Sequence, residues 1–139
     1  MSLYLDASVL VALFMRDIFT ERSDSFMRRQ APDMLISDFA AVEFASAVGL
    51  RPRRDLTADE ARLAFSSFDE WSARVPRCAG TQSSDVADAQ AFLRRLDLPL
   101  RAPDAINIAI ARRENASLMT FDAKMAVSAQ ALGVDVVSA

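Results

Sequence analysis

Four acidic residues stand where a carboxylate can do chemistry. Asp6 closes the apolar run Leu3-Tyr4-Leu5, and Asp122 closes Leu118-Met119-Thr120-Phe121. Asp104 follows Pro103 at the opening of a helical segment, and Glu43 sits between Val42, Phe44 and Ala45. The chain has no histidine, which excludes imidazole catalysis, imidazole metal ligands and a Ser-His-Asp triad. Cys78 is its single cysteine, so neither an intrachain disulfide nor a Cys-based zinc site can form. A metal site must therefore use oxygen ligands, which suits Mg²⁺, Mn²⁺ or Ca²⁺ better than Zn²⁺.

Each acid also has a plainer use. Asp6 and Asp122 can cap the helices that follow them. Asp104 can be an ordinary first-turn acid, favoured there by the helix dipole. Glu43 can point to solvent beside an apolar stripe, although a carboxylate inside such a segment is costly unless paired or bound to a cation. In open α/β sheets, ligands bind outside the carboxyl ends of the strands. Carboxylates at the ends of neighbouring strands would thus share one pocket.

The elements that must position these acids alternate along the chain. Ser2 to Leu5 reads as a buried strand, followed by helical spacing at Val9, Leu10, Leu13 and Phe14. Thr20 to Gln30 reads as a surface helix, and Met34 to Ile36 as a second strand. Ser37 or Asp38 can cap a helix over Ala40 to Leu50, with Gly49 and Pro52 near its end. Thr57-Ala58-Asp59-Glu60 has capping-box form ahead of Leu63, Ala64, Phe68 and Trp71. Val75 to Ala79 reads as a short strand, and a helix from Ser83 or Ser84 carries Val86, Ala89, Phe92, Leu93 and Leu96. Pro103 suits a helix's first turn. Ser117 to Phe121 reads as a strand, Ala123 to Leu132 as a helix stopped by Gly133, and Val134 to Val137 as a last strand. This alternation predicts an α/β three-layer sandwich: a mostly parallel sheet of about five strands flanked by helices.

A length of 139 residues suits a single domain over 1–139, and 52% apolar content supports a packed core. Cys78 is expected to be a small buried apolar residue. The opening MSLYLDASVL lacks the basic and cleavage regions of a signal peptide. No apolar run reaches the ~18 residues of a membrane span. A cytoplasmic protein is expected. The net charge of −3 argues against nucleic-acid binding, but all the basic residues except Lys124 are arginine. Arginine's planar fork suits phosphate, although codon bias produces the same skew.

Four segments together resemble the PIN-domain nucleases, and most closely the VapC-type toxins of toxin–antitoxin pairs. They are Leu5-Asp6-Ala7-Ser8-Val9-Leu10-Val11-Ala12-Leu13, Ser37-Asp38-Phe39-Ala40-Ala41-Val42-Glu43, Arg101-Ala102-Pro103-Asp104-Ala105 continuing to Ile108-Ala109, and Thr120-Phe121-Asp122. The resemblance covers nearly the whole chain. It implies a PIN-like fold and endoribonuclease activity on RNA with Mg²⁺ or Mn²⁺. It also implies homodimerisation and inhibition by a cognate VapB-like antitoxin. The family's acidic quartet falls on Asp6, Glu43, Asp104 and Asp122, its small hydroxyl residue on Ser8, and a pocket-lining position on Thr120. Asn107 stands in the third segment where many relatives carry another polar residue.

On this reading Asp6 and Asp104 ligate the metal directly with Asp122 beside them, and Glu43 ligates through water or orients the attacking hydroxide. Ser8 and Thr120 hold water or phosphate. Arginines that could attract RNA fall in clusters: Arg51, Arg53 and Arg54; Arg94, Arg95 and Arg101; Arg112 and Arg113. Of these, Arg101 and Arg112 are the candidate RNA contacts. Solvated helix ends explain such clusters equally well. Phe14, Phe19, Phe39, Phe44, Phe65, Phe68 and Trp71 divide between core and an apolar groove for an antitoxin helix. The alternative reading is a non-cleaving PIN-like metal- or RNA-binding module. A phospho-receiver domain needs a lysine at a late strand end, whereas Lys124 lies inside a helical segment. A magnesium phosphatase pairs its first Asp with another two residues on, where this chain has Ser8.

Overall fold

A computed structural model describes residues 2–50 and 56–139. The strands are β1 (Ser2–Leu5), β2 (Asp33–Ser37), β3 (Arg77–Ala79), β4 (Ser117–Met119) and β5 (Val136–Val137). They form one sheet in the order β3-β2-β1-β4-β5, and every pairing is parallel. The described helices are α1 (Ala7–Phe14), α2 (Thr20–Gln30), α3 (Asp38–Leu50), α4 (Ala58–Ser72), α5 (Ser83–Arg94), α6 (Ala102–Arg113) and α7 (Ala123–Ala131). The expected α/β sandwich is borne out, with a sheet that is wholly parallel.

The central strands β1 and β4 and the carboxyl half of β2 are buried on both faces, as parallel sheets require, whereas the edge strands β3 and β5 are only partly covered. Alternate side chains feed two separate cores. Leu3, Leu5, Ile36 and Met119 pack with Val9, Leu10, Phe44 and Phe68 from α1, α3 and α4. Tyr4, Leu35 and Leu118 pack instead with Ala89, Phe92, Ile108 and Met125 from α5, α6 and α7. Strand β1 is central because both of its neighbours continue it by crossover, so Asp6 emerges at the middle of the sheet's carboxyl edge. Among the described residues no helix is long and apolar enough to cross a membrane.

Several local expectations change. Strand β4 stops at Met119, so Thr120 and Phe121 form a link and Asp122 caps α7 rather than closing a strand. Gly49 lies near the end of α3, as expected, while Pro52 and the Arg51, Arg53, Arg54 cluster lie outside the described residues. Thr57 caps α4 through Glu60 N–H, and Glu60 reaches back to the Thr57 hydroxyl. Leu63, Val86 and Leu96 face solvent instead of the core. Leu96 ends α5 in the left-handed region (φ 64°), a helix-terminating conformation that carries its side chain outward. Cys78 is exposed, not buried, because β3 is an edge strand; its thiol lies 3.7 Å from the Ser72 carbonyl.

Candidate functional site

Three of the four acids begin helices at the carboxyl edge of the sheet. Asp6 Oδ1 accepts from Val9 N–H at 3.2 Å and caps α1. Asp122 Oδ1 accepts from Lys124 and Met125 N–H at 2.9 and 3.2 Å and caps α7. Asp104 Oδ2 accepts from Arg101 N–H at 3.2 Å in the first turn of α6. The capping role and a chemical role are therefore compatible, since each carboxylate keeps lone pairs beyond those its cap uses.

Asp6 is 5% exposed, yet no cation pairs with it among the described residues. Its other partners are hydroxyls. Ser8 Oγ donates to Oδ1 at 2.6 Å, and Thr120 Oγ1 donates to Oδ2. Ser8 also accepts from Phe121 N–H at 3.0 Å, and Thr120 from Asp122 N–H at 3.1 Å. The two hydroxyls expected to hold water or phosphate are thus spent on tying Asp6 to the β4–α7 link. Phe121 in that link stacks on Phe19 at 4.4 Å between ring centroids, which anchors it further. Burial raises the Asp6 carboxyl above its ordinary value, and the hydrogen bonds from Ser8 and Thr120 partly oppose this.

Glu43 belongs to α3, whose buried face is Ala40, Phe44 and Val48. Val42 is exposed, so the apolar run around Glu43 is not its environment. Its half-burial comes from across the fold: Asn107 Nδ2 on α6 donates to Oε1 at 2.6 Å. Burial raises the Glu43 carboxyl first, and the charges of Asp6 and Asp104 raise it further. Those couplings show that the three acids share one electrostatic neighbourhood. Burial also lifts the phenol of Tyr4, directly beneath them, well above its ordinary value.

Asp104 and Asp122 line one hollow of about 510 Å³ together with Arg101, Lys124, Leu98, Pro99 and Leu100. Arg101 Nε lies 3.5 Å from Asp104 Oδ2 with its own side chain 78% exposed, so solvent screens the pair and it neutralises Asp104 only weakly. Lys124 was set aside in the sequence. Its place in the first turn of a helix capped by Asp122 is the signal that puts it in this hollow. Arg112 goes elsewhere. It lies eight residues along α6 from Asp104, about 12 Å at the helical rise, and lines a small hollow at the amino ends of β4 and β5. Arg95 pairs with Asp97 at the surface, and Arg113 pairs with buried Asp85.

The donor set fits a hard divalent cation in kind: only oxygens, charges that repel one another, and one buried carboxylate without a partner cation. Among the described residues no three acids already stand at metal-ligand spacing. Asp6 is instead held by the Ser8 and Thr120 hydroxyls and the Val9 N–H.

The sequence pattern of the PIN domain matches residues 3–130. No curated protein matches the chain. Solved structures with a similar fold include the sarcin–ricin loop cleaving toxin VapC20 of Mycobacterium tuberculosis, at 20% identity and TM-score 0.75, over 97% of this chain and 98% of that one. FitAcB of Neisseria gonorrhoeae is 15% identical with TM-score 0.75, over 98% and 96% respectively. VapBC2 of Rickettsia felis, bound to a DNA fragment from its promoter, is 13% identical with TM-score 0.70, over 99% and 98%. With its parallel sheet, its acids at the carboxyl edge and a match over most of its length, this chain belongs to the PIN domain family.

Proposed function

We propose that the protein is a metal-dependent endoribonuclease, the VapC-type toxin of a toxin–antitoxin pair. The observation that carries this reading is Asp6: a carboxylate buried at the centre of the sheet's carboxyl edge, without a cation of its own and beside two further acids. Burying a charge in that way is costly unless a cation arrives. Asp6, Asp104 and Asp122 would hold Mg²⁺ or Mn²⁺, with Glu43 close by. When bound, the ion neutralises the acids, lowers the pKa of a coordinated water and stabilises charge on the phosphate oxygens.

The chain's own residues do the rest. Ser8 and Thr120 orient both oxygens of Asp6. Glu43 has Oε1 committed to Asn107, while Oε2 has no hydrogen-bond partner among the described residues and can take a proton from the attacking water. Arg101 and Lys124 at the mouth of the hollow supply positive charge for phosphates on either side of the cleaved bond. The apolar wall of Leu98, Pro99 and Leu100 suits a sugar or base. Single-stranded loops are the RNA elements most open to such a site. The solved toxin–antitoxin relatives support a VapB-like antitoxin as partner. A homodimer working in the cytoplasm completes the reading.

The test is cleavage of a mixed RNA pool in Mg²⁺, Mn²⁺ or EDTA by wild type, Asp6→Asn and Asp104→Asn, each checked for folding. Metal-dependent cutting that both variants lose supports the reading. Cutting that survives in either variant overturns the assigned site. A non-cleaving module is favoured by one observation, that no three acids among the described residues stand at ligand spacing. Folded protein that binds Mn²⁺ and cuts no RNA would select it.

A further inference from the structure

Asn107 is 2% exposed and makes contacts that no metal site by itself requires. Its amide orientation is determined. The Pro103 carbonyl, which can only accept, lies 2.9 Å from Nδ2, so that atom must carry the hydrogens. The second Nδ2 hydrogen then points to Glu43 Oε1 at 2.6 Å. Oδ1 faces Tyr4 Oη at 2.6 Å, and the phenol must spend its one proton there. Ser37 Oγ, 2.6 Å from the same phenol, must therefore donate to it. Ser37 Oγ in turn accepts from Ala40 N–H at 2.9 Å. Every proton in the chain Ala40 N–H, Ser37, Tyr4, Asn107, Glu43 has one direction.

This chain crosses the molecule. Tyr4 belongs to the core beneath α5, α6 and α7, while α3, which carries Glu43, packs in the other core. Asn107 bridges them. A two-sided amide held on one side by a rigid phenol and a carbonyl leaves its last donor little freedom. A glutamate on a helix face otherwise has three free torsions.

We propose that Asn107 is a positioning residue that fixes the Glu43 carboxylate among the site acids through the buried Ser37–Tyr4 chain. The catalytic consequence rests on the nuclease reading; the positioning itself does not. Asn107 touches neither substrate nor cation and acts only through Glu43. Tyr4 and Ser37 set the direction of its amide.

A double-mutant cycle tests this. Asn107→Leu, close in volume but without a donor, is expected to lower kcat for RNA cleavage in saturating Mn²⁺ by about 10–100-fold, the usual cost of a lost orienting partner. KM for RNA stays within about twofold, and the loss shrinks to about twofold or less in a Glu43→Gln background, as coupled residues require. An equal loss in both backgrounds overturns the proposal. Tyr4→Phe, which deletes one hydroxyl, repeats the cycle where Asn107→Leu does not fold, with a smaller loss that is likewise confined to the Glu43 background. A readout in the metal-free protein separates this proposal from the nuclease reading. The Asn107 side-chain amide resonances must shift on Glu43→Gln and on Tyr4→Phe. Protein that fails to cut RNA but shows both shifts sinks the nuclease and keeps the positioning; unmoved resonances sink the positioning whether or not RNA is cut.

Discussion

Two buried aspartates of this protein are treated in opposite ways. Asp85, 1% exposed at the start of α5, is fully provided for. Arg113 from the end of α6 grips both of its oxygens, at 2.8 and 3.0 Å, and Gln82 N–H adds a bond at 2.8 Å. The same guanidinium also donates to the Gly80 carbonyl at 2.9 Å, so the pair clamps the β3–α5 link to α6. Asp6, 5% exposed just past the end of β1, receives only hydroxyl and amide hydrogens among the described residues. Burial alone therefore does not mark a functional acid. What distinguishes Asp6 is that no cation pairs with it among the described residues, so its charge must be relieved by protonation or, under the proposed function, by a bound metal.

The contrast is broken most directly by exchanging the two acids' fates. Asp6→Asn should reduce RNA cleavage on the order of 10²–10³-fold, since it removes stabilisation of charge that develops in the transition state. Its unfolding midpoint in urea should stay level or rise. Asp85→Asn should do the reverse, losing stability and keeping cleavage per folded molecule. Loss of cleavage in folded Asp85→Asn with full activity in Asp6→Asn would invert the comparison.

Arg113→Ala is the next largest effect. It strands Asp85 without a cation, which costs about 3–5 kcal/mol where a buried pair loses one member. Denaturant unfolding would read the loss, and RNA cleavage per folded molecule should hold within about twofold. A change below about 1 kcal/mol would show that the clamp is dispensable.

Thr120→Val and Ser8→Ala sharpen the comparison from the other side. Each removes a hydroxyl that orients Asp6, and each should cost about 10–100-fold in Mn²⁺ affinity or cleavage. Calorimetric Mn²⁺ titration distinguishes this from a direct phosphate contact, which would leave metal affinity unchanged and raise KM for RNA.

The smallest effect is a pH dependence of stability. Burial raises Asp6 above its ordinary 3.8, and burial with neighbouring charge raises Glu43 above 4.5. The folded, metal-free protein therefore holds protons that the unfolded chain has already released. Stability should be greatest at or below those ordinary values and fall as pH rises through the raised ones. Urea midpoints of the EDTA-treated protein should follow that slope, and Asp6→Asn should flatten it. Added Mn²⁺ should restore stability most at the higher pH. A midpoint that climbs with pH in both proteins would contradict the carboxyl assignments.

Much of the site was legible as local chemistry. Asp6, Asp104 and Asp122 could be placed at element starts because a cap is decided within about four residues of chain. Pro103 marked the opening of α6 for the same reason. The resemblance points to Thr120 and Ser8; that both hydroxyls also close on Asp6 depends on bringing in Thr120, 114 positions away, which no local pattern specifies. Glu43 was noticed for the wrong surroundings: Val42 faces solvent, and the partner that matters is Asn107, 64 positions away. Arg112 was grouped with Arg101 by type, yet a dozen helical residues carry them to different hollows. Cys78 was expected inside because its type usually is, whereas its strand is an edge.

The chain by itself determined the alternation of strand and helix, the burial of its central apolar strands and the three aspartates at helix starts. Those follow from side-chain period, capping and turn chemistry, which act between near neighbours. Only the tertiary structure decided which acid received a cation. That choice hangs on strand order and on how α5, α6 and α3 meet, which brings Arg113 to Asp85 across 28 positions and leaves Asp6, among the described residues, with hydroxyl and amide hydrogens. Charge pairing acts through space, and the distances that govern it exist only once the sheet has assembled.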